Sequence, residues 1–326
     1  MRQTIVAFHF LLAALAGLPA HAQAQTQTQE WPTKPIKLVV PGPPGNSSDI
    51  YARYVAGRMT ALLGQPTTVE NRAGGNGFIG ATAVTQAPAD GYTVFIAGSS
   101  PMAQNVALFK SMPYDPVKDF RWISGIFEGK AVLVVPAKSP YNTVQELVAA
   151  GKASPGRLNY GSYAAAYRLS TEWFNQANGI QSTYVAYKGA PQVTTDLIGG
   201  QIDFAMVDVV AVAPLVQGGQ LRALVVTGDE RHPQLPRVPT LQEAGLPAYG
   251  KSAWVSMAVR ADTAAPIAAK LTATMMKILA EPEMKRFADQ QGAPILAYDD
   301  KQMTQFQVSE IDKYKKIAAS ARIPLE

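Results

Sequence analysis

The chain is 326 residues long, 47% hydrophobic and free of cysteine, with 29 lysines and arginines, 24 aspartates and glutamates and three histidines. That length suits two domains with sizeable cores, while the missing thiols and scarce imidazoles argue against thiolate catalysis and clustered His/Cys metal sites, and so for a binder over an enzyme. The net charge of +5 is dispersed, with no basic run interleaved with aromatics, which excludes an obvious nucleic-acid surface and leaves a mild preference for anions.

The first element reads as a leader. Arg2 precedes an apolar run from Ile5 to Leu18, and Ala20-His21-Ala22 and Ala22-Gln23-Ala24 offer small-residue cleavage sites, so residues 1–24 are expected to be a signal peptide cut after Ala22 or Ala24. The run is shorter than the ~20 residues a membrane span requires. Its loss removes Arg2, His9 and His21, leaving a net charge of +4 and His232 as the single histidine. An exported chain without cysteine avoids mispairing in an oxidising compartment.

Strand-like and helix-like stretches then alternate, the pattern of parallel sheets flanked by helices. The first series is a strand at Ile36–Val40, a helix at Ser48–Leu63, a strand at Thr67–Glu70, a helix at Gly80–Gln86 and a strand at Thr93–Ala97. Apolar runs at Trp122–Phe127 and Ala131–Val135 lead to a second series. It comprises helices at Val144–Lys152, Tyr167–Ala177 and Gln192–Ile198, with strands near Asn159 and at Thr183–Ala186, Ile202–Val207 and Arg222–Val226. After a Pro-rich passage, Ser252–Val259 reads as a strand and residues 264–321 as three helical stretches, the first capped by Asp262 or Thr263 with Pro266 in its first turn. If this last part returns to the first series, the chain crosses twice between two lobes, which makes a hinge with a cleft.

Two strand-to-helix loops carry the most chemistry. Pro41–Asp49 could expose helix N–H groups to an anion through its small residues, or it could be an ordinary capped loop with Ser47 or Ser48 as N-cap. Gly161–Arg168 gathers Ser162, Tyr163, Tyr167 and Arg168; the guanidinium could grip a carboxylate or pair with Glu172 one helical turn on. Gly75-Asn76-Gly77-Phe78-Ile79-Gly80 matches G-x-G-x-x-G, but the acid expected at the end of the next strand is absent, so a structural turn is favoured over a dinucleotide site. His232, flanked by charges and Pro233, reads as an exposed loop residue. A Ser-His-Asp triad through Ser162 or Ser252 lacks a Gly-x-Ser-x-Gly elbow, which leaves a secreted α/β hydrolase as the competing class.

Ordered motifs over essentially the whole mature sequence then point to one family. Trp31-Pro-Thr-Lys-Pro-Ile36, Val39-Val-Pro41 with Pro43-Pro44-Gly45, Leu63-Gly64-Gln65, Val69-Glu-Asn-Arg72, Asp90-Gly91-Tyr92-Thr93, Pro113-Tyr114-Asp115-Pro116, Tyr187-Lys-Gly189, Asp196–Asp203 and Glu243-Ala-Gly245 together resemble the Bug-type solute receptors of tripartite tricarboxylate transporters. The resemblance implies an α/β, two-lobed periplasmic-binding-protein fold of type II with two crossover strands and a ligand cleft between the lobes. Lobe 1 would comprise residues 31–130 and 248–326, and lobe 2 residues 131–247. The expected function is a periplasmic receptor that closes on a small carboxylate and delivers it to a membrane permease or sensor, as a monomer without metal, cofactor or nucleic acid.

The residues expected at the ligand are Pro44, Gly45, Asn46, Ser47 and Ser48 on one loop, and Ser162, Tyr163, Tyr167 and Arg168 on the opposing one, with Ser99, Ser100, Gly189 and Asp208 at further strand ends. Two departures from the family's usual pattern bear on ligand choice: Gly42 where a bulkier residue is frequent, and Arg168 where histidine is frequent. Room at Gly42 facing Tyr163, Tyr167 and Arg168 suggests a larger or aromatic dicarboxylate.

Overall fold

The computed structural model describes residues 31–247 and 253–326. The expected signal peptide and Ser252 lie outside the described residues. The first lobe contains strands β1 (Ile36–Val40), β2 (Thr67–Asn71), β3 (Thr93–Gly98) and β4 (Phe120–Gly129) with helices α1 (Ser47–Leu63), α2 (Phe78–Thr85) and the short α3 (Ser99–Met102). The second contains β5 (Ala131–Pro136), β6 (Leu158–Ser162), β7 (Ser182–Ala186), β8 (Phe204–Asp208) and β9 (Leu221–Val226), with α4 (Val144–Ala153), α5 (Ala165–Asn178), α6 (Ala190–Ile198) and α7 (Val209–Gln217). β10 (Ala253–Arg260) joins the first sheet and is followed by α8 (Ala265–Leu279), α9 (Pro282–Gln291) and α10 (Asp300–Ser320).

The two sheets are ordered β2-β1-β3-β10-β4 and β7-β6-β8-β5-β9. Both are mixed, not wholly parallel as the alternating pattern implied. β10 runs antiparallel to β3 and β4, and β5 runs antiparallel to β8 and β9. These are the strands that enter each sheet from the other lobe, so no helical crossover within their own sheet forces them parallel.

Alternation along each central strand fills two cores. Ile36, Leu38 and Val40 of β1 pack with Tyr51, Val55 and Met59 of α1, while Val39 faces the other layer with Phe95, Ala97 and Tyr314. In the second sheet Leu133, Tyr160, Phe204 and Met206 line one face and Val132, Val134, Ala205 and Val207 the other.

Two local expectations change. The N-cap of α8 is Ala264, with no side-chain cap; Asp262 pairs with Arg260 instead, and Pro266 does sit in the first turn. α7 was not anticipated, because its apolar residues and internal Pro214 carry no helical periodicity; it is started by the Asp208 side chain, which accepts the Ala211 N–H.

α10 packs on β4 and also reaches α5 of the other lobe. Its buried Gln307 accepts from Trp122 Nε1 (3.1 Å) and donates to the carbonyls of Met102 (2.8 Å) and Pro116 (2.9 Å). A leucine there would leave one donor and two acceptors without partners, each costing about 1–3 kcal/mol when fully buried. Gln307→Leu should lower the unfolding free energy in urea by at least about 2 kcal/mol; a midpoint unchanged from the parent would contradict this account.

Candidate functional site

The carboxyl ends of β1, β3, β6 and β8 meet between the sheets, the place where open α/β sheets take ligands. A cavity there, enclosing about 570 Å³ of atom-free space partly open to solvent, is lined from the first lobe by Asn46, Ser47, Ser48, Asn76, Ser99, Ser100 and Trp254. From the second lobe it is lined by Tyr163, Ala164, Ala166, Tyr167 and Lys188. A smaller cavity adjoins it through Ser47, Tyr167 and Trp254, and reaches Tyr51, Lys130, Asp208 and His232.

The β1–α1 loop is held by its own polar groups. The Asn46 side chain caps α1 by accepting the Asp49 N–H (2.9 Å), and Asp49 accepts from Gly45 N–H (3.0 Å), from Arg53 through two bonds and from Asn71 (3.0 Å). Burial opposes ionisation of Asp49, but these donors outweigh it and hold the carboxyl below its ordinary range. The loop is therefore capped, but by Asn46 and not by Ser47 or Ser48 as expected, because the longer amide side chain reaches the Asp49 N–H. The first intrahelical bond runs from Ile50 N–H to Asn46, so among the described hydrogen bonds the N–H groups of Ser47 and Ser48 are uncommitted at the positive end of the helix.

Opposite them, Tyr163 donates to Asp208, which also accepts the Ala211 N–H (3.1 Å). Burial pushes the Asp208 carboxyl up, and burial with the Asp208 charge pushes both tyrosine hydroxyls up, so Tyr163 and Tyr167 stay protonated donors. Tyr167 also shares a side-chain hydrogen bond with Ser47 across the cleft. The Ala166 N–H donates to Ser100 Oγ (3.0 Å), and Gly189 seats on Pro43, where an added Cβ would lie 2.1 Å from the ring. The lobes thus touch on either side of the cavity.

Of the expected residues, Asn46, Ser47, Ser48, Ser99, Ser100, Tyr163 and Tyr167 share the first cavity and Asp208 the second. Pro44 and Gly45 are exposed outside the lining, and Ser162 is buried with its hydroxyl donated to the Ala164 carbonyl (3.0 Å). Gly189 is a contact between the lobes. Arg168 is neither in the cavity nor paired with Glu172: it is 8% exposed, salt-bridged to Glu326, with its guanidinium 4.5 Å over the Tyr184 ring. Glu172 accepts from Tyr160 instead.

The room expected at Gly42 is filled by the Asn46 side chain, whose Nδ2 lies 1.9 Å from where a Cβ would stand. His232 is 1% exposed, not a solvated loop residue, because its ring lies against Gly292 of the first lobe. Gly75 and Gly77 of the glycine run have positive φ and form the structural turn, while Gly80, inside α2, faces Pro41 with no space for a side chain. Lys188 and Trp254 were missed as lining residues. Lys188 stands in the Tyr187-Lys-Gly189 motif and so had a signal, whereas Trp254 in an apolar strand had none.

Two sheets joined by two crossing segments, with a polar cleft at the strand ends, define a two-lobed solute-binding receptor of the periplasmic-binding-protein class. The family model described as "Tripartite tricarboxylate transporter family receptor" matches residues 51–322, and the chain belongs to that family. Protein BugT of Bordetella pertussis is 33% identical over 308 residues, 93% of each chain. The R. palustris protein Rpa4515, solved with adipate, superposes with a TM-score of 0.87 at 32% identity, covering 91% of this chain and all of that one. MatC from Rhodopseudomonas palustris with bound malate gives 0.82 at 28% identity, covering 88% and 99%.

Two outcomes follow from the contacts between the lobes. Gly189→Ala should leave the fold intact but wedge Pro43 away, since Gly189 is extended (φ −177°) and its restraint is space alone. Small-angle scattering should then show a larger radius of gyration than the parent under conditions that close it, and equal radii would refute the wedge. Burial first, then Lys130, lowers the His232 pKa to about 4 from 6.5. A histidine harder to protonate in the folded state contributes stability that is complete above pH 6.5 and lost as pH falls toward 4. The melting temperature should fall between pH 7 and 5, less steeply in His232→Gln; identical slopes would show that other groups set the dependence.

Proposed function

We propose that the protein is a periplasmic receptor that captures a small carboxylate by closing two lobes, residues 31–130 with 248–326 and residues 131–247, and hands it to a transporter or sensor in the membrane. The observation that carries this reading is the composition of the first cavity. Uncommitted helix N–H groups of Ser47 and Ser48 face protonated Tyr167 and Tyr163, the latter's proton directed to Asp208, with the Ser99 hydroxyl beside them and no acidic side chain among the described lining residues. Such a surround favours a carboxylate without a buried counter-ion. The adipate and malate carried by two similar proteins support the ligand class. Membership of the receptor family supports delivery to a membrane partner.

The filled space at Gly42 removes the argument for an aromatic ligand and favours a slender aliphatic one. A hydrolase reading finds no support in the site. Ser162 Oγ is committed to Ala164, and the His232 ring is engaged by the backbone of Gln234, Gln291 and Gly292.

Dialysed protein heated with a panel of aliphatic and aromatic mono- and dicarboxylates tests the reading. A ligand at 100 times its Kd adds about 2.7 kcal/mol to the folded state, enough to raise the melting temperature by several degrees. At least one aliphatic carboxylate should do so and be recovered unaltered. A panel with no shift, or turnover of a matched ester, would sink it.

A further inference from the structure

Among the described residues, the first cavity has one cationic side chain in its lining, Lys188, and no anionic one. Four other charged groups at or beside the cleft are engaged by neighbours. Asp49 is paired with Arg53, and Arg168 with Glu326. Lys130 donates to the Glu230 carbonyl (2.7 Å), and Asp208 accepts from Tyr163 and Ala211. The Lys188 ammonium has no ion-pair or hydrogen-bond partner among the described residues. Its backbone is nevertheless fixed. The Lys188 N–H donates to Gln192 Oε1 (3.0 Å), and the next residue, Gly189, seats against Pro43 of the opposite lobe. A cation exposed at the cavity, on a fixed backbone and with no acid among the described lining residues, leaves its counter-charge to be supplied from outside.

The N–H groups of Ser47 and Ser48 and the Ser99 hydroxyl all belong to the first lobe and are enough for one carboxylate, whereas the Ser100 hydroxyl is committed to Gln104 and Ala166. Lys188 belongs to the second lobe, after β7, and comes to the cavity only where Gly189 meets Pro43. We propose that Lys188 is a specificity-determining residue that pairs with the second carboxylate of an aliphatic α,ω-dicarboxylate whose first carboxylate lies at Ser47 and Ser48. This rests on the carboxylate-receptor reading. The ligand then ties one lobe to the other through its two charged ends, and closure is coupled to the presence of both. A monocarboxylate satisfies the first-lobe donors and leaves the ammonium to water.

Calorimetry with chain-matched pairs, adipate against hexanoate and glutarate against pentanoate, tests this on the parent and Lys188→Met. Methionine keeps an apolar stem, and Lys188 is exposed with no side-chain partner, so the unliganded melting temperature is expected to stay that of the parent. The parent should prefer the dicarboxylate of each pair. Lys188→Met should weaken it by roughly tenfold, leave the monocarboxylate within about twofold, and lose the salt dependence of the difference. Lys188→Arg should retain most of the preference. Equal losses for both members of a pair, no loss for either, or a parent that binds only monocarboxylates would overturn the assignment while leaving the receptor reading standing. A parent that binds no member of either pair, nor any other carboxylate, would overturn both.

Discussion

The cleft depends on the junction at Lys130, where β4 ends at Gly129 and β5 begins at Ala131, so that one residue separates the two sheets. The start of β5 is held within its own lobe at the same place. Ala131 N–H donates to Thr227 Oγ1 (2.9 Å) and Thr227 N–H to the Ala131 carbonyl (2.9 Å), while the Lys130 carbonyl accepts the Val209 N–H (3.2 Å). A one-residue linker is short enough to act as a hinge between two packed lobes and leaves them little room to slide apart. Across the cleft from it, Gly189 against Pro43 is a place where the lobes meet with no space for a side chain.

That geometry divides the chemistry between the lobes. The second lobe supplies side chains: two tyrosines whose protons are kept by the nearby buried Asp208, and a lysine. Asp208 also starts α7, so the residue that polarises the tyrosines is fixed by the helix it caps. A buried carboxylate bonded by hydroxyl and N–H groups needs no cation to remain in place, which keeps positive charge for the ligand side of the cleft.

The order of strands and helices was legible in the sequence because β1, β3 and β8 are apolar runs bounded by turn residues and most helices carry an amphipathic stripe. Strand direction was not, since a β-strand pattern is the same whichever way the chain enters the sheet; only the crossings at β5 and β10 decide it. The site divides along the same line. The α1 loop and the two tyrosines lie within a few residues of a strand end, where local patterning speaks. Arg168 was misread because its partner, Glu326, is 158 positions away and leaves no local trace. His232 looked solvated among charges, yet tertiary packing against Gly292 removed it from water. The apparent space at Gly42 was a property of one residue taken alone, and Asn46 occupies it from four positions on.

The same contrast bears on how ligand choice arises in such a receptor. A change in the first lobe's donors would alter backbone positions shared with the helix cap and the Asp49 network, so it would disturb binding of every carboxylate at once. A change in second-lobe side chains alters what the far end of the ligand meets and leaves the first carboxylate's donors intact. On the pairing proposed for Lys188, length discrimination would come from the span between Ser47 and Lys188 where Pro43 meets Gly189. A ligand too short would leave the ammonium unpaired, and one too long would hold the lobes short of contact; only a chain that fits would satisfy both ends with the Ser100 to Ala166 hydrogen bond formed beside it.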